Sequence, residues 1–512
     1  MKTYSDQLFS LIKAMTPKEK LFFKVFSVKK KRNTQEHSYI VLFDVLNNMK
    51  IHDEAILQKR LKKSGFKYNI DIAKNYLIKA LFKSLREYHS DSSIDAQIHN
   101  MLEESEILYK KNLKKMAAQV LHKAEQLSLE FEKYEYLLII GSLKANLAVD
   151  MSDLEALKEF KKTEIKKQQE YLELFINTID YRNLTVEIGS IFNQSPNVIS
   201  GNKAAENRLK ELFANALLKD SKLALTFSSK QYFYRLHYQN LVNLYKWDEW
   251  DETSYRMLKE WVAYLEKKEM MRNSFPEVYI YALAHLIVNS GFKGGKKESE
   301  VVFNKAKDFF MELPKKNVNH IVQRAFMDMF TNYTDAQLKL LHPEKCVEAL
   351  GKINIPKLSH GGYMNMASSY FLLGEYNKAI SFINKITNVK SDYRLDVQAG
   401  AKMFGLIIHY ELRNIDLLPY VAKASERWLI KNNYPLGSFD KALINFFKYK
   451  LPKMDSSEEE VEELLRLYTN LKRDKNSDYS ILQKEEFYLI PWLESKIQNR
   501  PLIEVAKEKR NE

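Results

Sequence analysis

Apolar residues recur along this chain at intervals of three and four positions, the spacing that places them on one face of an α-helix. From residue 94 to about residue 450 this spacing continues through segment after segment, with short loops and no convincing alternating strand pattern. It also predicts helices nearer the N-terminus, at about residues 5–15, 38–49, 53–63 and 70–89. The pattern therefore predicts an all-α protein.

Two helix starts are marked by capping residues. Thr16, Pro17 and Glu19 match a capping box with proline at the first helical position. Near the C-terminus, Ser456 precedes the acidic run at residues 458–460, and negative charge stabilises a helix N-terminus. We therefore interpret this acidic run as a helix start rather than as a metal site.

The spacing also assigns a buried face to individual helices. In the helix predicted at 70–89, the buried stripe is expected to be Ile72, Tyr76, Leu77, Ala80, Leu81 and Leu85. The residues expected to lie largely in solvent are Lys74, Lys79, Lys83 and Arg86. In the helix that follows Thr16, the predicted apolar face is Leu21, Phe22, Val25 and Phe26.

Length and composition bear on the architecture. A chain of 512 residues exceeds the about 250–300 residues at which a single core stops growing, so it either divides into domains or extends as a repeat array. Hydrophobic residues make up 45% of the chain, which excludes general disorder. Glycine (14 residues) and proline (11 residues) are scarce, which predicts long helices with few breaks.

One segment has the spacing of a two-helix repeat. Small residues at Ala367 and Ala379 allow two antiparallel helices to approach, and Gly374 can adopt the left-handed conformation that ends the first helix. The signature positions are Tyr363, Ala367, Tyr370, Gly374, Tyr376, Ala379, Ile383 and Ile386. On these residues the segment resembles one unit of the tetratricopeptide repeat (TPR) family, which implies an α-α superhelix, a TPR-like solenoid.

Less complete versions of this unit recur elsewhere. One comprises Met101, Ser105, Leu108, Asn112, Ala117, Leu121 and Ala124, with asparagine instead of glycine at the turn. A third is suggested by Ile280, Ala284, Ile287 and Gly291. A fourth is suggested by Phe404, Gly405, Ile408, Val421, Ser425 and Trp428. The units do not follow the family's repeat length, so the intervening helices are expected to be irregular.

The chain as a whole also resembles an uncharacterised group of bacterial helical-repeat proteins. Residues 74–89, 409–418 and 492–497 carry this resemblance, which implies no known activity. We expect three parts along the sequence. They are a basic N-terminal helical region (1–93), an irregular TPR-like solenoid (94–452) and a C-terminal helical cap (453–512).

Positive charge is concentrated near the N-terminus. The sequence has 80 Lys and Arg against 66 Asp and Glu, and residues 1–100 contribute +9 of the net charge of +14. The three helices predicted between residues 38 and 89 could form a helix-turn-helix. Its phosphate contacts would be Lys59, Arg60, Lys62, Lys63 and Lys67. The helix that would read bases offers few suitable side chains, among them Asn75.

Motif searches predict no catalytic, cofactor-binding or metal-binding residues. The sequence contains no HExxH, GxSxG or GxGxxG pattern. The loop Gly291–Lys297 departs from a phosphate-binding loop in its spacing and ends in lysine, so we interpret it as a basic surface loop. We interpret the carboxylates in Trp247–Glu252 as helix-capping groups, and the single cysteine, Cys346, as buried and inert.

These features predict a non-catalytic scaffold that binds another protein or a peptide, because stacked helix pairs create a groove that suits peptides. The alternative is a nucleic-acid-linked regulator that uses the basic N-terminal region. No apolar stretch reaches the about 18 residues of a membrane helix, and charge interrupts the N-terminus too early for a secretory signal. We therefore expect a cytoplasmic protein without a membrane partner; the oligomeric state stays open.

Overall fold

The structure is a computed structural model. It describes residues 4–28, 34–90, 93–151, 154–193, 203–243, 252–290, 296–353, 357–388, 395–434, 436–473 and 489–511. Within these ranges the regular secondary structure is helical and contains no strand, which confirms the predicted all-α class. In the same ranges, no helix combines the length and the apolar character that a membrane crossing requires.

The chain divides into two compact units. The first unit comprises Met1–Asn183 and Ala224–Ser229, and the second comprises Leu184–Leu223 and Lys230–Glu512. Within the described ranges, the first nine helices are α1 (Tyr4–Ala14), α2 (Pro17–Val28), α3 (Thr34–Asn48), α4 (Glu54–Lys63), α5 (Ile70–Tyr88), α6 (Ile94–Lys110), α7 (Lys114–Glu130), α8 (Tyr134–Met151) and α9 (Leu154–Asn193). The last turns of α9, from Leu184 onward, belong to the second unit.

The remaining helices of the described residues begin at residue 203 or later. They are α10 (Lys203–Phe213), α11 (Phe227–Asn243), α12 (Glu252–Lys267), α13 (Glu269–Ser274), α14 (Pro276–Ser290), α15 (Lys296–Glu312), α16 (His320–Lys339), α17 (Pro343–Gly351), α18 (His360–Leu372), α19 (Tyr376–Thr387), α20 (Leu395–Glu411), α21 (Leu418–Lys431), α22 (Ser438–Asn445), α23 (Ser457–Arg473), α24 (Leu489–Gln498) and α25 (Leu502–Asn511). A π-helical turn, Phe446–Lys450, continues from α22. Short 3₁₀ turns occupy several of the connections.

Helices α1–α5 share one core in the first unit. Its fully buried residues include Leu8, Ile12, Phe23, Leu42, Phe43, Leu57, Leu77 and Leu81. The predicted capping box opens α2, since the Thr16 N–H donates to the Glu19 carboxylate at 2.6 Å and the Glu19 N–H donates to the Thr16 hydroxyl at 3.3 Å. The predicted acidic helix start is also confirmed, because the Ser456 hydroxyl accepts from the Glu459 N–H at 3.2 Å at the start of α23.

One type of turn ends helices in both units. After α18, Gly374 has a φ of +74°, its N–H donates to the Phe371 carbonyl at 3.0 Å, and the Glu375 N–H donates to the Tyr370 carbonyl at 2.8 Å. These two bonds define a Schellman motif. Gly65 is the other described glycine with positive φ. The described non-glycine residues with positive φ are Asn112, Glu132, Leu341, Arg413, Asn433 and Asn499. The expectation of few breaks was therefore wrong, because residues other than glycine close most of these turns.

The segment that resembles a TPR unit forms a hairpin of α18 and α19, which pack against each other. Ala367 and Ala379 have no exposed surface, so neither position has room for a larger side chain. The rings of Tyr370 and Phe382 stack with centroids 5.6 Å apart. The other signature residues are also placed at least partly inside: Tyr363, Ile383 and Ile386 are buried, and Tyr376 is half-buried.

Helices α6 and α7 form a similar hairpin in the first unit. Asn112 occupies the left-handed position with a φ of +59°, where α18–α19 has glycine. Ala117 is fully buried, and the Ser105 hydroxyl donates to its carbonyl at 3.3 Å. Lys114, at the position that Tyr376 has in the α18–α19 hairpin, donates to the Asp150 carbonyl at 2.8 Å. In the third predicted unit, α14 and α15 contact each other, but Gly291 lies outside the described residues.

The predicted buried face of α5 was wrong at two positions. Ile72 and Tyr76 are each 57% exposed. Lys74, which was expected in solvent, is buried, and its ammonium lies 2.7 Å from the Glu54 carboxylate. The buried residues of α5 are Ala73, Lys74, Leu77, Leu81 and Ser84. The other three basic residues, Lys79, Lys83 and Arg86, are exposed as predicted.

Two further helices have their buried face displaced from the prediction. In α2, Phe23 is fully buried while Leu21 and Val25 are exposed. The buried residues of α21 are Leu418, Ala422, Ser425 and Leu429, so Val421 and Trp428 lie at the edge of that face. Consecutive apolar residues are compatible with more than one helical face, so their spacing does not decide which face meets the core.

Candidate functional site

A cleft of about 520 Å³ opens between four helices of the second unit, α11, α12, α14 and α16. We call it the four-helix cleft. Its polar and aromatic lining residues are Gln231, Arg235, Tyr238, Trp261, Glu277, Tyr281, His285, Arg324 and Asp328. The cleft therefore combines rings with both positive and negative side chains.

Helical spacing brings these side chains to one place. Three of the four helices contribute residues three or four positions apart: Gln231, Arg235 and Tyr238 on α11, Glu277, Tyr281 and His285 on α14, and Arg324 and Asp328 on α16. The other face of α16 is apolar and buried. Phe326 on that face stacks on Phe310 of α15, with ring centroids 4.0 Å apart. This packing holds α16 so that Arg324 and Asp328 face the cleft.

A stacked pair of rings lies across the cleft between α11 and α14. The rings of Tyr238 and His285 are nearly parallel, 9° apart, with centroids separated by 3.5 Å. Burial lowers the pKa of His285 to about 3, and the positive charge of Arg235 adds to this effect. The imidazole is therefore neutral at physiological pH. Burial also raises the pKa of the Tyr238 hydroxyl, which stays protonated, so the stack is an uncharged surface with hydrogen-bonding edges.

The two carboxyl groups of the cleft are partly withdrawn from water. Burial raises the pKa of Asp328, against the opposing effects of the Arg324 charge and a hydrogen bond from Tyr281. The Tyr281 hydroxyl lies 3.5 Å from the Asp328 carboxylate. Burial likewise raises the pKa of Glu277. Both carboxyl groups carry their charge at a free-energy cost, because burial disfavours the ionised form.

The two arginines of the cleft, unlike its carboxyl groups, lie at the protein surface. Arg235 and Arg324 are exposed, and within the described chain neither forms a hydrogen bond or an ion pair. Burial raises the pKa of Tyr281, Asp328 adds to the rise, and the charges of Arg324 and Arg235 both oppose it. Both guanidinium groups thus act on the same hydroxyl from different helices. Their hydrogen-bond donors remain available to a ligand.

The predicted phosphate-contacting residues lie in the first unit, apart from this cleft along the chain. Lys59, Arg60, Lys62 and Lys63 are on α4, and Lys67 is in the connection to α5. All five are exposed, as are Lys79, Lys83 and Arg86 on α5. Among the described residues, none of these eight cations forms an ion pair. We call the eight together the basic α4–α5 segment.

The structure gives no reactive or metal-binding environment to the described residues among the other candidates from the sequence. Cys346 is fully buried, its thiol lies 3.4 Å from the Thr334 carbonyl, and burial raises its pKa to about 12. This thiol is protonated at neutral pH and shielded from reagents. Residues 247–251 and 291–295 lie outside the described ranges, and Glu252 is the first residue of α12. No group of three potential metal ligands is found among the residues that the structure describes.

A second groove, of about 890 Å³, lies beside α23 and α24 in the second unit. Most of its charged groups already have ion-pair partners within the protein. Arg413 donates to the Glu460 carboxylate at 2.9 Å, and the Tyr410 hydroxyl donates to the same carboxylate. Nearby, the Glu411 carboxylate accepts from Trp492 at 2.7 Å. These contacts join α20 to α23 and α24, and they occupy groups that a ligand would otherwise use.

None of the residues that line the four-helix cleft was predicted as functional. Their helices are separated by long stretches of sequence, so only the tertiary fold reveals that they meet. A weak signal was present in α14, where Glu277, Tyr281 and His285 interrupt an otherwise apolar helix at intervals of four. Comparison with other proteins adds no candidate, since no family model, curated protein or solved structure matches the chain.

Proposed function

We propose that this protein is a non-catalytic scaffold and that the four-helix cleft is the place where it binds a segment of a partner protein. The observation that carries the proposal is a concave site of about 520 Å³ that contains stacked rings and two arginines without an ion-pair partner among the described residues. Concave sites that combine aromatic surface with a few polar groups are typical of specific recognition. Tyrosine, tryptophan and arginine are also the residues that contribute most to protein interfaces.

A peptide fits this arrangement because the cations lie at the surface while the rings lie deeper. Arg235 and Arg324 are exposed, whereas Tyr238 and His285 are half-buried. An extended chain that crosses the helices can place one side chain on the rings and another beside the arginines. A TPR-like solenoid with a basic N-terminal region and a C-terminal cap would present such a cleft on stacked helix pairs. We place the protein in the cytoplasm as part of this proposal.

The test is a selection of random displayed peptides on the full-length protein and on two matched variants. Gln231→Trp fills the cleft, whereas Gln323→Trp makes the same change at an exposed position of α16 that does not line it. We expect enriched peptides to bind the wild type and Gln323→Trp equally and to lose binding to Gln231→Trp. Equal binding to all three chains, each shown to be folded by circular dichroism, would refute the cleft as the site.

The basic α4–α5 segment supports a second candidate, a nucleic-acid-linked regulator. Its eight cations are exposed and have no ion-pair partner among the described residues. The exposed rings of Tyr76 and Phe82 on α5 lie among them. Such a surface attracts a phosphate backbone without reading its sequence. Binding of a defined DNA duplex that is lost when these cations are neutralised would support this candidate.

A further inference from the structure

We propose that the four-helix cleft selects its partner by an acidic side chain, an aspartate or glutamate whose carboxylate is held between Arg235 and Arg324. This inference rests on the proposed peptide-binding function and names the chemistry that such a peptide must carry. The two arginines are on different helices, α11 and α16, and both line the four-helix cleft together with Tyr281. A carboxylate is the anion that suits them, because it accepts charge-assisted hydrogen bonds from the planar guanidinium group.

The carboxyl groups already in the cleft do not take this role. In the described part of the chain, neither Asp328 nor Glu277 lies within ion-pair distance of Arg235 or Arg324. Both carboxyl groups are half-buried, while the arginines are exposed. A ligand carboxylate at the exposed arginines is therefore attracted by two cations at the surface and stays away from the deeper acids. Arginine is the residue suited to this recognition, because its donors match both carboxylate oxygens.

A peptide's terminal carboxylate fits the cleft less well than a side chain does. Terminal carboxylates are usually captured by free backbone N–H groups. At the start of α16, the Asn319 side chain already accepts from the N–H groups of Ile321 and Val322, at 2.8 and 3.0 Å. The other helix that starts beside the cleft, α14, begins with Pro276, which has no N–H. The helix starts therefore offer few such donors.

A phosphoryl group also fits less well than a carboxylate. Phosphate on a peptide carries a charge between about −1.5 and −2 and favours clusters of arginine without neighbouring acids. Asp328 is on the same helix as Arg324, one turn away, and its charge raises the pKa of Tyr281 whereas that of Arg324 lowers it. A dianion would meet greater repulsion from this carboxylate than a single carboxylate does.

The experiment uses peptides enriched on the full-length protein by display, made with four versions of the selected acidic position. These are the original acid, its amide, a phosphoserine, and the original acid with an amidated C-terminus. Each is titrated against the wild type, the double variant Arg235→Gln/Arg324→Gln, and the control Arg256→Gln. Arg256 is an exposed arginine of α12 that lies outside the cleft and has no ion-pair partner among the described residues.

We expect the acid-to-amide change to weaken binding to the wild type and to Arg256→Gln by about tenfold or more. Against the double variant, the same change should have less than about a twofold effect, because its partners are gone. Amidation of the peptide's C-terminus should leave its affinity for all three chains unchanged. The inference would be overturned if the acid-to-amide change weakened binding equally on all three chains, or if amidation of the C-terminus had the larger effect. It would also be overturned if the phosphoserine peptide bound about tenfold more tightly than the acid.

The two proposals fail in distinguishable ways. If peptides are enriched and lose binding to Gln231→Trp but show no preference for an acid, the cleft remains the binding site and the carboxylate inference is wrong. If the enriched peptides bind Gln231→Trp as well as they bind the wild type, the four-helix cleft is refuted as the peptide-binding site, whatever their preference for an acid. Both readouts come from folded, full-length protein.

Discussion

The two units each carry cations that have no ion-pair partner among the described residues, yet the surroundings of these cations differ. In the first unit, the basic α4–α5 segment consists mainly of lysines on exposed helix surface. In the second unit, Arg235 and Arg324 border a cleft lined by stacked rings and two partly buried carboxyl groups. The exposed cations of the first unit attract anions without fixing their position. The cleft of the second unit provides a defined place for one group of a ligand.

This difference reflects the chemistry of the two side chains. A lysine ammonium is a strongly hydrated point charge on a flexible stem, whereas the guanidinium of arginine is planar and orients its donors. Exposed lysines therefore give an interaction that salt weakens and that discriminates little between ligands. Arginines beside rings in a concave site favour a ligand of defined shape. We accordingly expect the two surfaces to respond differently to salt, substitution and pH.

The largest expected effect is the salt dependence of nucleic-acid binding. If a duplex contacts about six cations of the basic α4–α5 segment, its affinity should fall by about 10³-fold between about 50 and 200 mM salt. Peptide binding at the cleft involves two guanidinium groups and should fall by less than about tenfold over this range. Titrations of full-length protein with a defined duplex, a scrambled duplex and a selected peptide measure both slopes. We expect the two duplexes to bind alike.

A matched pair of variants locates the salt-dependent binding. Lys59→Gln/Lys62→Gln/Lys63→Gln should lower both the affinity for DNA and the salt slope. The control changes three exposed lysines at and near the α6–α7 hairpin: Lys111→Gln, Lys115→Gln and Lys123→Gln. Equal losses in the two triple variants would show that net charge, rather than the basic α4–α5 segment, determines binding. Tight binding at the higher salt with a clear preference for one duplex would favour the regulator over the scaffold.

The next effect concerns the close helix contact in the second unit. Ala379→Leu should lower the free energy of unfolding by about 1–3 kcal/mol, because the added atoms meet packed neighbours at a fully buried position. Ala424→Leu, at an exposed position of α21, should change it little. Denaturation monitored by circular dichroism measures both variants. If the two variants have the same midpoint, α18 and α19 do not meet closely at Ala379.

The pH dependence of folding stability should reveal that the imidazole of His285 is kept neutral in the folded protein. Unfolded His285 takes up a proton near pH 6.5, whereas in the folded protein its pKa is about 3. Only the unfolded state is therefore stabilised by protonation as the pH falls below 6.5, and folding stability is lost in that direction. From about pH 7.5 to about pH 5 this should cost about 2 kcal/mol.

The matched variants for this prediction are His285→Phe, which keeps an aromatic ring against Tyr238, and His122→Phe on the exposed side of α7. The first should reduce the loss of thermal stability at low pH, and the second should leave it nearly unchanged. A wild-type slope in His285→Phe would mean that the imidazole is already protonated in the folded protein.

The smallest expected effect concerns the turns, which both units share. Gly65→Ala and Gly374→Ala should each cost about 1 kcal/mol, because both glycines have a φ of +74° and a Cβ there meets no neighbour. Gly351→Ala is the control, since its Cβ also meets no neighbour and its φ is not positive. This control should be neutral or slightly stabilising. Destabilisation by Gly351→Ala to the same extent would show that the left-handed conformation is not the cause.

Local features of the fold could be read from the sequence, whereas the candidate site could not. The capping box at Thr16 and the turns at Asn112 and Gly374 follow from residues close together in the chain. The buried face of α5 was misassigned at Ile72 and Lys74 because Glu54, the closer of the two ion-pair partners of Lys74, is on another helix. Burial of a charge depends on such a partner, which helical spacing does not indicate.

The four-helix cleft illustrates the same limit on a larger scale. Arg235, His285 and Arg324 are individually ordinary residues on separate helices. Only their positions after folding distinguish them from the many other charged and aromatic residues of the chain. The left-handed conformation of Arg413 is a similar case, because an arginine gives no local sign that it will occupy such a position.

The most direct test of the cleft as a peptide site is a crystal structure of the full-length protein with a peptide selected on it. We predict that the peptide lies across α11, α14 and α16, with an acidic side chain within hydrogen-bond distance of Arg235 or Arg324 and another side chain against the Tyr238–His285 stack. A peptide seated elsewhere, for example in the groove beside α23 and α24, with the four-helix cleft empty, would contradict this account.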